Sequence, residues 1–279
     1  MRQPGPDEIY SYQITDRGVA WFVLNRPQAG HALTPELQKG LIESLDAAGA
    51  DLRVRAIVLT STGGRHFCTG ADLRSSRDAD TDRPPDAPPR PTGTVMRDLQ
   101  RMNGAQATIA AVLDCPKPVI AAVNGTAAGM GVQLALACDI ILAAEHAKFI
   151  QLFVRRGILP GGGSTYLLPR LVGPQKAKEL LFFGDDLPAS EAYRIGLVNR
   201  VVPSDRLTDE AGEMAGRLAE LPTVTIGLIK RLVNCSFESD RAAAFQNEAF
   251  GQETNMQSAD SVEGVQAWIE RREPRFRGW

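Results

Sequence analysis

Short, wholly apolar runs alternate with amphipathic stretches along the chain as far as Pro203. A short apolar run predicts a buried strand, whereas apolar residues spaced three and four apart predict a helix that packs on one face. The predicted strands are 19–24 (VAWFVL), 56–59 (AIVL), 119–123 (VIAAV) and 139–143 (DIILA). Because helical stretches of roughly 10–20 residues separate them, the pattern predicts an α/β fold with largely parallel, buried strands.

The clearest helix start follows the first strand. That strand ends at the turn-prone segment 25–27 (NRP), and Thr34 then stands directly before Pro35. Threonine is a preferred N-cap residue and proline is favoured at the first helical position. A helix is therefore predicted over 36–48.

The last quarter of the chain has a different pattern. Beyond Pro203 only helices are predicted, over 207–221, 223–235, 241–256 and 259–272. We therefore expect a core region over 1–203 and a C-terminal helical region over 204–279. The segment 77–91 is rich in proline and aspartate and has almost no apolar residue, which predicts a surface loop.

Composition and charge narrow the class of protein. The 279 residues include 31 basic and 33 acidic ones, for a formal net charge of −2, and 43% are hydrophobic. This is typical of a globular protein with one large domain, and the lack of a basic surplus argues against nucleic acid as a partner. No apolar run approaches the ~18–20 residues that span a bilayer, and the N-terminus lacks a secretory signal. We expect a cytoplasmic protein without a membrane partner.

Several common kinds of site are absent from the sequence. The four cysteines form no C-x-x-C pair, so they predict reduced, packed thiols and no metal site. There is no P-loop, no complete dinucleotide-binding fingerprint, no G-x-S-x-G and no H-E-x-x-H. With only three histidines, a Ser-His-Asp triad is not expected.

Two glycine-containing segments follow predicted strands, at 63–73 (GGRHFCTGADL) and 124–134 (NGTAAGMGVQL). Glycine lets a ligand approach the main chain, and a helix N-terminus presents N–H groups without an intrahelical partner. Two such donors that converge on one point can bind an oxyanion. Alternatively, these glycines only shape turns and allow tight packing of a helix on a strand.

A set of motifs in order along the chain resembles the enoyl-CoA hydratase/isomerase, or crotonase, family. The resemblance extends from about residue 8 to the C-terminus and is specific for the fold. The motifs are Asn25-Arg26-Pro27 with Ala32-Leu33, the segment 67–73 (FCTGADL), the segment 118–125 (PVIAAVNG) with Ala128-Gly129, then Cys138-Asp139, Gly157, the segment 160–163 (PGGG) and the terminal 274–278 (PRFRG).

This resemblance implies a spiral of ββα units, with C-terminal helices that mediate a homotrimer, often a dimer of trimers. The shared chemistry is the stabilisation of a thioester enolate by two main-chain N–H groups. The matching positions are Ala71 and Met130, where methionine replaces the more usual glycine and should reshape the acyl pocket. Gly129 precedes Met130 and is expected to line the same site. No cofactor is implied beyond the coenzyme A of the acyl-CoA substrate.

The same resemblance places the coenzyme A along the main chain near Ala29 and along Asp72 and Leu73. Arg26 or Arg74 could meet its phosphates, although a solvated arginine is the alternative for each.

The sequence departs from the family pattern where acid–base chemistry is expected. Family hydratases use two glutamates, and the matching residues here are Gln133 and Phe153. No acidic residue occurs over 119–138 or 149–168. Relatives that use an acid after the loop proline would place it at Gly161. Members of the family have asparagine directly before an Ala-Leu pair. In this sequence the pair is Ala32-Leu33, and the residue before it is His31.

A carboxamide can hold water but cannot take up its proton, and a phenyl ring can do neither. Efficient hydration is therefore not expected. Gln133 could hydrogen-bond a substrate group or an ordered water, or only a neighbouring backbone group, and Phe153 could pack against the acyl chain or the core. We expect an acyl-CoA enzyme that stabilises an enolate. Decarboxylation, isomerisation, a weak hydratase supported by Gln133 and a catalytically silent acyl-CoA-binding protein stay open as alternatives.

Overall fold

A computed structural model of the chain describes residues 3–72, 96, 99–102 and 104–279. The strands of this part are β1 Tyr10–Ile14, β2 Val19–Leu24, β3 Ala56–Ser61, β4 His66–Cys68, β5 Val119–Val123, β6 Thr126–Ala128, β7 Ile140–Ala144, β8 Lys148–Ile150, β9 Asp186–Pro188 and β10 Arg200–Val202. The helices are α1 Pro35–Ala50, α2 Ala105–Asp114, α3 Met130–Leu136, α4 Ser164–Val172, α5 Pro174–Phe183, α6 Ala189–Arg194, α7 Leu207–Ala219, α8 Thr223–Ser236, α9 Arg241–Asn255 and α10 Ala259–Glu270, with 3-10 turns at Pro27–Ala29 and Val154–Arg156.

Two sheets organise the described residues. The larger has the order β1-β2-β3-β5-β7-β10, and all of its neighbouring strands are parallel except the β1–β2 pair. The smaller has the order β4-β6-β8-β9, with β4, β6 and β8 parallel and β9 antiparallel to β8. Strands β2, β3 and β5 are buried along their whole length, as expected for a sheet covered on both faces.

Along the chain, a strand of the larger sheet is followed by a strand of the smaller sheet and then by a helical segment. Repetition of this unit makes the chain advance as a spiral. Strands β3, β5 and β7 lie next to one another in the larger sheet. The strand that follows each of them, β4, β6 or β8, lies in the smaller sheet in the same order. This is the predicted α/β spiral of ββα units followed by C-terminal helices.

The apolar patterns predicted the long elements correctly. All four predicted strands are present, and the ends of the predicted helices agree with the structure within two residues. Thr34 caps α1, because its Oγ1 accepts from Leu37 N at 3.2 Å. The pattern missed β1 and the short strands, including the entire smaller sheet. The predicted loop at 77–91 lies outside the described residues.

The helices predicted for the last quarter of the chain have two different relations to the core. Helix α7 packs against the larger sheet, and its Leu207, Ala211 and Ala215 belong to the main hydrophobic core. Helix α9 has no buried residue. The first C-terminal helix is therefore part of the core, while the division of the chain at 203/204 stays a prediction.

A buried lysine joins helix α8 to the core. The Lys230 ammonium lies 2.9 Å from Asp139 Oδ2 and donates to Val112 O at 2.9 Å. The same Asp139 oxygen accepts from Val119 N at 2.7 Å. Burial raises the pKa of Asp139, and the adjacent Lys230 opposes that rise. The ion pair thus ties a C-terminal helix to the start of β5.

We expect Lys230→Met to destabilise the protein by about 2 kcal/mol, because it removes a buried ammonium and leaves the Asp139 carboxylate, whose side chain is 22% exposed, without its cation. The measurement is chemical denaturation at fixed protein concentration. The matched control is Lys39→Met, since Lys39 is an exposed residue of α1 that lies 3.7 Å from Glu43. Loss of that exposed pair should cost less than about 1 kcal/mol. Equal losses in the two variants would contradict the structural role of Lys230.

Candidate active site

Three neighbouring parallel strands of the smaller sheet end at one edge, and most of the predicted site residues follow them. Segment 69–72 follows β4, Gly129 follows β6, and segment 151–153 follows β8. Because the carboxyl ends of parallel strands meet at the same edge of a sheet, residues far apart in sequence become neighbours.

The first two of these segments are in direct contact. Gly70 has φ +99°, and a Cβ at this position would lie 3.0 Å from Ala128 O and 3.2 Å from Met130 N. A side chain at position 70 would therefore be strained by the backbone conformation and would also press the two segments apart. Glycine at this position allows Ala71 and Met130 to lie close together.

The pairing of Ala71 with Leu33 determines which way the Ala71 amide faces. Leu33 N donates to Gly70 O at 2.8 Å, and Asp72 N donates to Leu33 O at 3.0 Å. In an extended segment successive peptide groups alternate in direction, so the Ala71 N–H faces away from Leu33. Met130 is the first residue of α3, where the N–H has no partner within the helix.

Helix α3 lies against the end of β4 because residue 131 has no side chain. A Cβ on Gly131 would lie 2.0 Å from Cys68 O, which is an impossible contact. The side chain of Met130 is buried, and its Sδ accepts from Gln38 Nε2 at 3.7 Å. A Cβ on Gly162 would lie 3.6 Å from Met130 Cγ. The thioether therefore packs between α1 and the loop before α4.

Gln133 is completely buried one turn further along α3. Its Nε2 donates to Gly129 O at 3.1 Å and to Gln151 Oε1 at 2.8 Å. Among the described residues, Gln133 Oε1 and Gln151 Nε2 have no hydrogen-bond partner. The structure thus places the predicted Gln133 beside a second buried amide, and neither of its hydrogen bonds involves a carboxylate.

Phe153 lies at the same edge of the sheet and is half-buried. A Cβ on Gly129 would lie 3.8 Å from the Phe153 ring atom Cζ. Positions 133 and 153, which match the two glutamate positions of the family, therefore both lie against Gly129. They carry an amide and a phenyl ring.

The predicted coenzyme A residues lie on two loops that an ion pair joins. Arg26 contacts Asp72 Oδ2 at 3.0 Å and donates to Ala32 O, and both charged side chains are mostly buried. Ala29 ends the 3-10 turn that follows Arg26. Leu73 and Arg74, also predicted along this path, lie outside the described residues.

His31, where the family resemblance predicts asparagine, has φ +54° and is buried. Asparagine and histidine are among the non-glycine residues enriched in this left-handed region. The ring Nδ1 accepts from Arg26 N at 3.0 Å. Burial lowers the pKa of His31 to about 4, so the ring is neutral at pH 7. Histidine at this position is compatible with the left-handed backbone, a conformation that asparagine also adopts.

Possible metal ligands and thiols both occur in the described part of the chain. No group of three or more His, Cys, Asp or Glu side chains there is arranged to hold a metal ion. Cys68, Cys115 and Cys138 are buried, and burial raises the pKa of the Cys68 thiol to about 12. No helix in these residues has the length and hydropathy needed to span a membrane.

Comparison with known proteins identifies the family to which the chain belongs. The family model described as enoyl-CoA hydratase/isomerase matches residues 15–278, and the chain belongs to this family. It is 37% identical over 263 residues to the 1,2-epoxyphenylacetyl-CoA isomerase of Escherichia coli strain K12, which covers 94% of this chain and 96% of that protein. It is 36% identical over 260 residues to the crotonyl-CoA hydratase of Syntrophomonas wolfei, with coverage of 92% and 94%.

Solved structures of the family have the same fold. The enoyl-CoA hydratase from Bacillus anthracis superposes with a TM-score of 0.87 at 32% identity, covering 98% of this chain and all of that one. The putative enoyl-CoA hydratase from Streptomyces coelicolor A3(2) also gives a TM-score of 0.87, at 35% identity, covering 100% of this chain and 98% of that one. The chain is therefore an acyl-CoA enzyme of the hydratase/isomerase family with a crotonase fold.

Sequence reasoning missed Gln151 and Gln38. Gln151 follows β8, a three-residue strand too short for its alternation to be recognised, and Gln38 lies on the buried face of α1. One signal was available. Residues 149–153 (FIQLF) carry a lone amide within an apolar run, a position that requires a hydrogen-bond partner if it is buried.

We expect His31→Asn to weaken the dependence of stability on pH. The unfolded histidine titrates near pH 6.5, whereas the folded one has a pKa of about 4. As pH falls through this window the unfolded state binds a proton that the folded state does not, so stability is lost. Between pH 7.5 and pH 5 the wild type should lose about 1–2 kcal/mol more than the variant.

Denaturant titrations at the two pH values measure this difference. His31→Gly also lacks the imidazole and accepts a positive φ, so it should show the same flattened pH dependence. If both variants keep the full wild-type slope, His31 is not the group responsible.

Proposed function

We propose that this protein binds acyl-CoA thioesters and stabilises their enolate with the main-chain N–H groups of Ala71 and Met130. The observation that carries the proposal is the contact between the two segments at Gly70, together with the direction of the Ala71 amide away from Leu33. Preorganised donors that face a developing negative charge are worth far more in a water-excluded site than in water. Because both donors belong to the main chain, methionine at position 130 keeps its N–H.

For the coenzyme A path we propose the main chain near Ala29 together with Asp72 and Leu73. The Arg26–Asp72 ion pair supports a role for Arg26 in holding these loops together. Direct contact of Arg26 with a phosphate stays a prediction. Gly129 and Phe153 would line the acyl group, with the phenyl ring in apolar contact.

The reaction we propose is one that does not depend on the two-glutamate pair. When a carboxylate on the α carbon departs as carbon dioxide, the bonding electrons form the enolate directly, and its charge rests on the oxygen between the two amides. Water then supplies the proton to the α carbon. This route to the enolate needs neither of the two acid–base groups. Hydration uses both, and each such group typically raises the rate by roughly 10²–10⁴-fold.

Isomerisation is the second candidate, since the Escherichia coli relative is named as an isomerase. It requires a base from outside the segments 119–138 and 149–168. A catalytically silent acyl-CoA-binding protein is the third, and turnover of any thioester in a broad panel would exclude it.

We also propose that the protein self-associates as a homotrimer or a dimer of trimers. The support is the apolar surface of the C-terminal helices, where Phe245, Phe250 and Trp268 are between 63% and 81% exposed. Several large apolar side chains exposed on neighbouring C-terminal helices are consistent with a protein interface. Sedimentation velocity measures the oligomeric state directly.

We expect binding to lower the pKa of acetoacetyl-CoA, whose enolate absorbs in the near ultraviolet, because two N–H donors favour the anion. Titration of the bound thioester with pH should give a pKa at least about 1 unit below that of free acetoacetyl-CoA. Met130→Pro removes one N–H at a helical position that tolerates proline, and it should abolish most of the shift.

The matched variant Met130→Leu retains the N–H and a side chain of similar volume, so it should retain the shift. If acetoacetyl-CoA binds the wild type and its pKa does not change, the proposed pair of donors is wrong.

We expect wild type to hydrate crotonyl-CoA slowly, and Gln133→Glu with Phe153→Glu to raise the rate by at least about 10²-fold, since the pair restores general acid–base groups. The loss of crotonyl-CoA absorbance measures the rate. Gln133→Glu with Phe153→Leu is the matched control, because it supplies only one acid. Rapid hydration by the wild type would contradict the proposal and indicate another acid in the pocket.

A further inference from the structure

A cavity of about 550 Å³ lies between helix α8 and segment 113–117, which leads into β5. None of the residues that line it belongs to segments 69–72, 129–133 or 151–153 of the candidate active site. The cavity lies beside the amino end of β5, whereas the candidate active site lies beyond the carboxyl ends of β4, β6 and β8. Its volume is within the range of small-molecule sites, roughly 300–1,000 Å³.

A buried lysine without a partner lines this cavity. Lys117 is only 6% exposed, and in the part of the chain that the structure describes its ammonium makes no hydrogen bond and no ion pair. Asp51 acts on it electrostatically, but both oxygens of Asp51 already accept from Arg53. Burial lowers the pKa of Lys117, as expected for an ammonium that lacks a counter-charge.

The ammonium of Lys117 can be reached from the cavity. It is not among the side-chain atoms that are both sealed from solvent and without a partner. A buried charge is costly unless it is paired and hydrogen-bonded. The cavity therefore favours an anionic group beside Lys117.

The other polar groups of the cavity do not compete for that anion. Lys230 already has three protein partners, and Thr223 and Asn234 are each hydrogen-bonded within the protein. Asp114 and Arg231 have opposite charges and are exposed, so solvent screens them.

The remaining walls of the cavity are largely apolar. The apolar side chains that line it are Leu52, Leu113, Val224, Leu228 and Trp279. One buried cation between apolar walls fits a carboxylate on an apolar chain, because the chain covers the walls while the carboxylate pairs with the ammonium. A phosphate usually binds several donors, such as a helix N-terminus or an arginine fork, and an uncharged ligand leaves the ammonium unpaired.

We propose that this cavity is a second ligand site, which binds a small monocarboxylate with an apolar chain, and that Lys117 pairs with the carboxylate. Such a ligand contacts both α8 and the segment before β5, the two parts of the fold that Lys230 joins. The inference does not depend on the reaction at the acyl-CoA site, with which the cavity shares no residue.

Isothermal titration calorimetry with octanoate tests the proposal in the presence of butyryl-CoA, which competes for the proposed acyl-CoA site. Octanoate should bind wild type at one molecule per chain, at least about tenfold more tightly than 1-octanol, which has the same chain without the charge. Acetate has the charge without the chain and should also bind at least about tenfold more weakly than octanoate, because it buries little apolar surface.

Lys117→Met removes the charge and keeps an unbranched side chain, so it should reduce the affinity for octanoate to that for 1-octanol. Val224→Phe fills the cavity and retains Lys117, and it should weaken the binding of both compounds by at least about tenfold. The matched control is Lys39→Met, which removes an exposed lysine of α1 and should bind octanoate as wild type does. Thermal melting of each variant without ligand shows whether it is folded.

Equal affinity of wild type for octanoate and 1-octanol would overturn the inference, and so would the absence of octanoate binding, which would indicate that only water occupies the cavity. Binding of octanoate that is unchanged in both Lys117→Met and Val224→Phe would place the ligand elsewhere and overturn it as well. If Lys117→Met does not fold, the comparison of Val224→Phe with wild type still decides the location.

Discussion

The parallel pairing of β4, β6 and β8 is the constraint on which the site depends. These strands have only three residues each, but their parallel order brings three loops from distant parts of the chain to one edge. Close contact is then possible only without side chains at two points. Gly70 touches the Ala128–Met130 segment, and Gly131 lies against the Cys68 carbonyl. A methyl group at either position would separate the amides of Ala71 and Met130.

In the proposed site, main-chain donors separate the binding of an enolate from acid–base chemistry. The N–H groups of Ala71 and Met130 persist whatever side chains are present, so a family member can replace both glutamate positions and keep this part of the site. What changes is the pair of positions that match the family's glutamates, which carry an amide and a phenyl ring. The buried Gln133–Gln151 pair is held by an amide–amide hydrogen bond and contains no titrating group, so it supplies no general base.

The loops around the site are held by polar interactions that are mostly buried. The Arg26–Asp72 ion pair connects the turn before α1 to the end of the glycine segment. His31 accepts from Arg26 N while its ring stays neutral. Elsewhere in the fold, Lys230 joins α8 to the start of β5 through Asp139. Each of these charged or polar groups has a partner and is at least mostly shielded from water, so removing one partner leaves the other with an unfavourable desolvation free energy.

The sequence by itself determined the long elements, the family and the absence of acids at positions 133 and 153, because these depend on local periodicity and on residue identity at motif positions. It predicted Ala71, Met130 and Gln133 as neighbours only through resemblance to a family. The tertiary structure decided the rest. The smaller sheet, the partnership of Gln133 with Gln151 and the left-handed conformation of His31 arise from contacts between residues distant in sequence. Three-residue strands carry too little periodicity to predict their pairing, and a hydrogen-bond partner 18 residues away is known only once the chain is folded.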